Sequence, residues 1–141
     1  MGILNKAKWA WDSLAMMTTL LEKWRPRNCE TEKDYENNLC AFLRRELPDF
    51  RVTPQYAQGR FRADLQVGEN MVIEIKHNLN TTAKYQRLVG QVTSYGEWKG
   101  KVVLLLMGKA DPDLKGELIR HLKKLELIGG LYGDKVAVVE K

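Results

Sequence analysis

The sequence predicts an α/β domain built on a mixed β-sheet, and three stretches of the 141-residue chain carry this prediction. Residues 61–67 and 71–76 alternate apolar and polar side chains around a short Gly/Asn turn, which is typical of a β-hairpin. The unbroken apolar run 102–106 indicates a strand that is buried on both faces. A helical pattern separates the hairpin from this run, so the connection should be a right-handed crossover between parallel strands.

Composition is that of a globular protein with a modestly basic surface. The chain is 44% hydrophobic and 29% charged, with a formal net charge of +5, which weakly favours a polyanionic partner. No apolar run reaches the roughly 20 residues that a membrane-spanning helix needs, and no signal-peptide pattern opens the chain. Cys29 and Cys40 lack zinc-site spacing. We therefore expect a cytoplasmic or nucleoid-associated protein with free thiols.

An amphipathic helix is predicted over residues 3–24, followed by a linker that contains Pro26. The expected organisation is thus a helix and linker over 1–28 and a larger domain over 29–141. Trp9, Met16 and Leu20 widen the apolar surface beyond one stripe. Packing against the rest of the chain, a dimer contact, and a membrane or nucleic-acid contact all fit this width. Because exposed aromatic surface tends to be buried against a partner, we predict a homodimer to which this helix contributes.

A second helix is predicted to begin after Thr31, which with Asp34 resembles a capping box, and to end before Pro48. Glu36 lies at the edge of its apolar stripe, where a carboxylate is either solvated or directed at a site; Glu32, one turn earlier, is the competing candidate. Residues 50–56 then predict a strand, and Pro54 within it favours an edge strand or a bulge.

The helix between the hairpin and the apolar run is predicted over residues 81–98. Beside its core stripe lies a second line of side chains that faces either a site or water: Lys84, Arg87, Gln91 and Tyr95. After the apolar run, Asp111 and Pro112 predict the start of another helix, which the glycines at 129–130 end. Residues 135–140 predict the last strand.

The polar face of the hairpin suggests a metal site. A three-residue turn pairs Val67 with Met71 and therefore Asp64 with Glu74, although opposed like charges destabilise a sheet. A divalent cation would account for this pair, since Mg²⁺ commonly takes one or two carboxylates. Lys76 projects from the same face, and two acids, a metal and an ammonium group suit phosphodiester hydrolysis. An exposed sheet face with scattered charges is the alternative interpretation.

These residues together resemble a known family, the PD-(D/E)xK nuclease superfamily. The resemblance covers residues 31–107 and consists of Glu36, Asp64, the tripeptide Glu74-Ile75-Lys76 and Gln91. Residues 91–95, Gln-Val-Thr-Ser-Tyr, are similar to the Q-x-x-x-Y motif of its recombination-exonuclease branch. The proline of the motif is absent here, because Arg62 and Ala63 precede Asp64.

The resemblance implies a restriction-endonuclease-like αβββαβ core with a mixed central sheet, to which this chain adds an N-terminal helix and a C-terminal helix and strand. It implies a metal-dependent DNA endonuclease or exonuclease with Mg²⁺ or Mn²⁺ as cofactor. A nucleic-acid-binding module with weak catalysis on the same fold, or a small α/β interaction protein that uses the tryptophan-rich helix, are the alternatives.

The resemblance also assigns roles to individual residues. Asp64 and Glu74 would bind the metal, with the Ile75 carbonyl as a further ligand, and Glu36 would help to hold this ion or a second one. Lys76 would position or activate water. Gln91 would orient the site or contact phosphate, and Tyr95 would support Gln91. Lys84 and Arg87 would contact the phosphate backbone. His77 is expected on the opposite face of its strand from Glu74 and Lys76.

Overall fold

The computed structural model describes residues 3–131 and 133–141. Within this part of the chain, four helices and five strands follow one another in the predicted order, which confirms the α/β class. The helices are α1 (Ile3–Lys23), α2 (Glu32–Glu46), α3 (Thr82–Tyr95) and α4 (Pro112–Lys124). The strands are β1 (Val52–Gln58), β2 (Phe61–Val67), β3 (Met71–His77), β4 (Lys101–Met107) and β5 (Val136–Glu140). No described helix has both the length and the apolar character needed to cross a bilayer.

The strands form one mixed sheet in the order β1-β2-β3-β4-β5. The pairs β1–β2 and β2–β3 are antiparallel, whereas β3–β4 and β4–β5 are parallel, so the predicted parallel pairing of the two strands that α3 connects is confirmed. Buried side chains divide into two clusters, one on each face of the sheet. The first joins the sheet to α1 and α2, and the second joins it to α3 and α4. The central strands are therefore covered on both faces, which explains the apolar run of β4.

The first helix is interrupted, contrary to the prediction of one continuous amphipathic helix. Asp12 has non-helical backbone angles, φ −147° and ψ 65°, and two helical segments meet there. Its Oδ1 accepts a hydrogen bond from the Ala15 amide at 3.3 Å. This is how aspartate caps a helix N-terminus, so Asp12 begins the second segment.

The second segment of α1 packs into the same cluster as α2 and the sheet. Trp24 is buried there, and the Trp9 ring, from the first segment, has its centroid 4.9 Å from that of Phe50. Leu20 is partly buried against the same cluster. The apolar surface left for a partner is thus smaller than the sequence suggests, and the homodimer stays a prediction. The side chain of Trp11 lies outside the described residues.

The predicted capping box of α2 is confirmed. The Thr31 hydroxyl accepts the Asp34 amide at 3.1 Å, and the Asp34 carboxylate accepts the Thr31 amide at 3.1 Å. After α2, the strand that contains Pro54 forms the outer edge of the sheet, also as predicted.

The β1–β2 hairpin changes faces halfway along its length. Leu65 packs in the α1/α2 cluster, but Ala63, which alternation places on the same face, packs in the α3/α4 cluster. The alternation in residues 61–67 predicts one apolar face, and this prediction is wrong for the residues before Leu65, since Phe61 also packs against the α3/α4 cluster. The neighbours of Gln55 on β1 pair with the neighbours of Asp64 on β2, so Gln55 lies opposite Asp64, although these two are not themselves paired. The φ of Gln55 is +51°, which interrupts the extended backbone of β1.

Candidate metal and catalytic site

The candidate site lies where β2 separates from β3. The predicted pairing of Val67 with Met71 is confirmed, and the last paired residues are Leu65 and Ile73. One residue further, the Asp64 carboxylate accepts the backbone amide of Ile75 at 2.7 Å. A side chain thus replaces the backbone in the interaction between the two strands, which fixes this carboxylate against β3.

Glu74 is buried in the middle of the site. It is only 4% exposed, so the solvent contact that the polar face of the hairpin predicts for it is wrong: α3 covers this part of the sheet. One oxygen, Oε1, lies 3.3 Å from the Lys76 ammonium and 3.3 Å from the Gln91 side-chain amide. Its carboxylate also lies close enough to Asp64 for the two charges to interact. Glu74 therefore contacts Lys76 and Gln91 and faces the charge of Asp64, three of the residues that the sequence singled out.

The two acids disfavour each other's ionisation. Burial, followed by the charge of Asp64, raises the pKa of Glu74 to about 7, and Lys76 opposes this rise only in part. Burial also raises the pKa of Asp64, against the lowering effect of the Ile75 amide, and the charge of Glu36 adds to the rise. Near neutral pH the site thus holds carboxylates whose charge is incompletely compensated.

Two buried polar atoms beside the acids have no hydrogen-bond partner among the described residues: Gln91 Oε1 and the Tyr95 hydroxyl. Tyr95 is buried, and its pKa is raised by burial first and then by the charges of Glu74 and Asp64. Both residues come from the same side of α3, as their spacing of four indicates. Buried polar groups normally have partners, so these two atoms suit a site that takes up polar or charged groups.

Glu36 enters from the opposite face of the sheet, on α2. It is buried, and both of its carboxylate oxygens accept the Gln55 side-chain amide, at 2.9 Å and 2.7 Å. Lys33 lies 3.2 Å from one of these oxygens. Sequence reasoning missed Gln55, and the only available signal was the interruption of its strand at Pro54. The competing candidate, Glu32, accepts the His77 amide at 2.9 Å and ties α2 to the end of β3.

The proposed phosphate-contacting residues of α3, Lys84 and Arg87, are both exposed. The Lys84 ammonium donates to the Asn78 carbonyl at 3.0 Å, close to the end of β3. The His77 ring lies 5.2 Å from that of Tyr35 on α2, whereas Glu74 lies against α3. His77 is thus on the opposite face from Glu74, as predicted.

Oxygen atoms of two carboxylates and one carbonyl are available for a metal ion: those of Asp64, Glu74 and Ile75. The described residues contain no group of three or more His, Cys, Asp or Glu side chains arranged to hold a metal. A Mg²⁺ site needs fewer, since this ion is often held by one or two carboxylates and keeps several waters.

Comparison with protein-family models, with curated proteins and with solved structures finds no match to this chain. What the fold and the site define is therefore an α/β protein with a five-stranded mixed sheet, in which a buried glutamate and a half-buried aspartate lie beside a lysine.

Proposed function

We propose that the protein is a metal-dependent nuclease of the PD-(D/E)xK type, which hydrolyses DNA phosphodiester bonds. One observation carries this proposal: the Asp64 carboxylate is hydrogen-bonded to the backbone amide of Ile75, next to the Glu74 carboxylate, and the Lys76 ammonium lies 3.3 Å from Glu74. The order of helices and strands from α2 to β4 agrees with the αβββαβ core expected of that superfamily.

The residues of the site fit a hard divalent cation. Their donor atoms are oxygens. Burial, and after it the charge of Asp64, raises the pKa of Glu74, and a bound cation would favour its ionised form. Asp64, Glu74 and the Ile75 carbonyl would hold Mg²⁺ or Mn²⁺, and Glu36 would contribute from α2. When bound, the ion would neutralise charge on the phosphate and lower the pKa of a bound water.

Lys76 supplies a positively charged side chain at this site. Its side chain is 21% exposed, so it contacts the buried Glu74 carboxylate and solvent at once. From this position it can orient a water molecule or stabilise negative charge that develops on the phosphate. Gln91 restrains Glu74 from the side of α3, and the exposed Lys84 and Arg87 of the same helix can contact the phosphate backbone.

Cleavage assays test the proposal. Plasmid, single-stranded and branched DNA would be incubated with the full chain in Mg²⁺ and, separately, in chelator. We expect Mg²⁺-dependent cleavage by the wild type and by Glu97→Ala, a matched control because Glu97 is exposed, and none by Glu74→Ala. DNA binding without cleavage would favour a binding module on the same fold. Absence of both would favour an interaction protein.

A further inference from the structure

We infer that Gln55 is a positioning residue of the proposed metal site: it holds the Glu36 carboxylate toward Asp64 and thereby strengthens divalent-cation binding. This inference rests on the proposed function, because it assigns a role in the metal site described above. Gln55 does not belong to the residues that the nuclease resemblance singles out. It is identified by its backbone conformation, its partner and its place opposite Asp64.

The backbone of Gln55 is unfavourable for a glutamine. Its φ of +51° lies in the left-handed region, which glycine adopts freely and asparagine or aspartate tolerate, but which other side chains rarely adopt. It occurs inside the edge strand β1, where extended backbone would otherwise continue. Strain of this kind persists where the surrounding structure requires it, and it is concentrated at functional sites. At Gln55 this unfavourable backbone angle coincides with a side chain that binds a buried carboxylate, and the two observations together point to a role for the side chain.

The need is explained by Glu36. Gln55 is exposed, yet its side-chain amide reaches a carboxylate that is only 4% exposed and donates to both of its oxygens. A buried carboxylate requires such donors. An amide supplies them without cancelling the negative charge, whereas a cation at the same position would neutralise Glu36. The ammonium of Lys33, the other partner of Glu36, is on a largely exposed side chain, so its charge is screened by water.

The link from Glu36 to the site is electrostatic. Gln55, which donates to Glu36, lies opposite Asp64, because its neighbours Pro54 and Tyr56 pair with Leu65 and Ala63. Glu36 is therefore held near Asp64, close enough for its charge to act on that carboxylate. The negative charge of Glu36 would also strengthen the binding of a cation by Asp64, because it repels another carboxylate but attracts a positive ion. Without Gln55, Glu36 would lose two hydrogen bonds that fix its orientation, and the cation would lose this contribution.

The test measures Mn²⁺ binding to the full chain without DNA, by electron paramagnetic resonance or calorimetry. We expect Gln55→Gly, which accepts the backbone angle but lacks the amide, to bind Mn²⁺ about tenfold more weakly than the wild type, as is usual for residues that orient ligands. Because Gln55 acts through Glu36, the double variant Gln55→Gly/Glu36→Gln should bind no more weakly than Glu36→Gln alone.

Two further variants serve as controls for the effect of Gln55→Gly. Glu126→Gly is the matched control: Glu126 has a φ of +60° just beyond α4, so glycine makes the same backbone change there, and Mn²⁺ affinity should stay unchanged. Gln55→Asn keeps an amide and tolerates the backbone angle, but it is one methylene too short to bridge both oxygens. Gln55→Asn should also weaken Mn²⁺ binding. It replaces Gln55→Gly as the test of the inference if circular dichroism shows that Gln55→Gly is unfolded.

Wild-type affinity in both Gln55 variants would overturn the inference, as would a loss that adds fully to that of Glu36→Gln. Either result leaves the proposed metal site intact, because the wild type would still bind Mn²⁺. If the wild type binds no Mn²⁺, the metal site itself is refuted and the role of Gln55 falls with it.

Discussion

Asp64 and Ile75 are joined by a 2.7 Å hydrogen bond in which a side-chain carboxylate takes the place of a backbone carbonyl. Burial, and after it the charge of Asp64, raises the pKa of Glu74, the residue before Ile75. The Asp64 carboxylate is thus held by the strand that carries the other acid. It cannot rotate away from Glu74 without breaking the hydrogen bond to Ile75, so negative charge stays concentrated where a cation could bind.

Neutralising Asp64 should stabilise the protein in the absence of metal. In Asp64→Asn the side-chain oxygen can still accept the Ile75 amide, but the repulsion of Glu74 and Glu36 is removed. We expect the melting temperature in chelator to rise by a few degrees, which corresponds to about 1 kcal/mol. Mg²⁺ should then raise it further by less than in the wild type, because bound metal stabilises by mass action. A variant that melts lower in chelator and responds normally to Mg²⁺ would contradict this geometry.

Stability without metal should fall as pH rises through the range set by Glu74. Its pKa rises on folding from 4.5 to about 7, so between these values the folded state binds more protons than the unfolded state. The resulting loss in the free energy of unfolding is complete above about pH 7 and amounts to about 3 kcal/mol. Glu74→Gln, which resembles the protonated form, should match the wild type near pH 5 and exceed it near pH 8.

Denaturant unfolding in chelator at both pH values measures this difference. Glu97→Gln is the control, since Glu97 is exposed and should not alter the pH profile. The free energy of unfolding could change between the two pH values by the same amount in the wild type and in Glu74→Gln. That result would show that Glu74 titrates as an ordinary glutamate.

Much of this fold was predictable because its signals are local. The capping box of Thr31 and Asp34 needs only a spacing of three, and the hairpin register follows from its short turn. The apolar run of β4 indicates burial on both faces whatever covers them. For the same reason, alternation and register could single out Asp64, Glu74 and Lys76 as candidates, whereas Gln91 is singled out by the resemblance to the nuclease family.

The environment of these residues was not predictable, because it depends on contacts between distant elements. Alternation places Glu74 on a polar face, and only the position of α3 over that face buries it. Gln55 was missed since neither a φ of +51° nor a contact with a residue of α2 leaves a sequence signal. The kink at Asp12 was overlooked because its flanking residues keep a helical period.

Removing the charged groups of the site should abolish cleavage without unfolding the protein. Because Glu74 is buried, Glu74→Gln is a milder change than alanine: it preserves the volume and creates no cavity. We expect this variant and Lys76→Met each to lower the single-turnover cleavage rate by about 100-fold or more. Circular dichroism would verify the fold, and Lys99→Met serves as the control for loss of an exposed lysine. Cleavage at wild-type rates in Glu74→Gln would remove the catalytic assignment.

The structure changes how the predicted dimer should be tested. Trp9 is 9% exposed and packs on Phe50, so a substitution there acts first on the chain's own core. Trp9→Ala should lower the free energy of unfolding by about 3–5 kcal/mol. If packing within one chain is the whole role of this residue, the loss will not depend on protein concentration. Thr19→Ala, at an exposed position of α1, is the control and should have little effect.

If α1 also joins two chains, the denaturation midpoint of the wild type will rise with protein concentration, because association stabilises the native state. Sedimentation at tens of micromolar should then show a dimer. A two-fold dimer would bring together two candidate sites, which cleavage of both strands of a duplex requires. A wild-type protein that sediments as a monomer, with a midpoint independent of concentration, would exclude the dimer and leave α1 as part of a single-chain core.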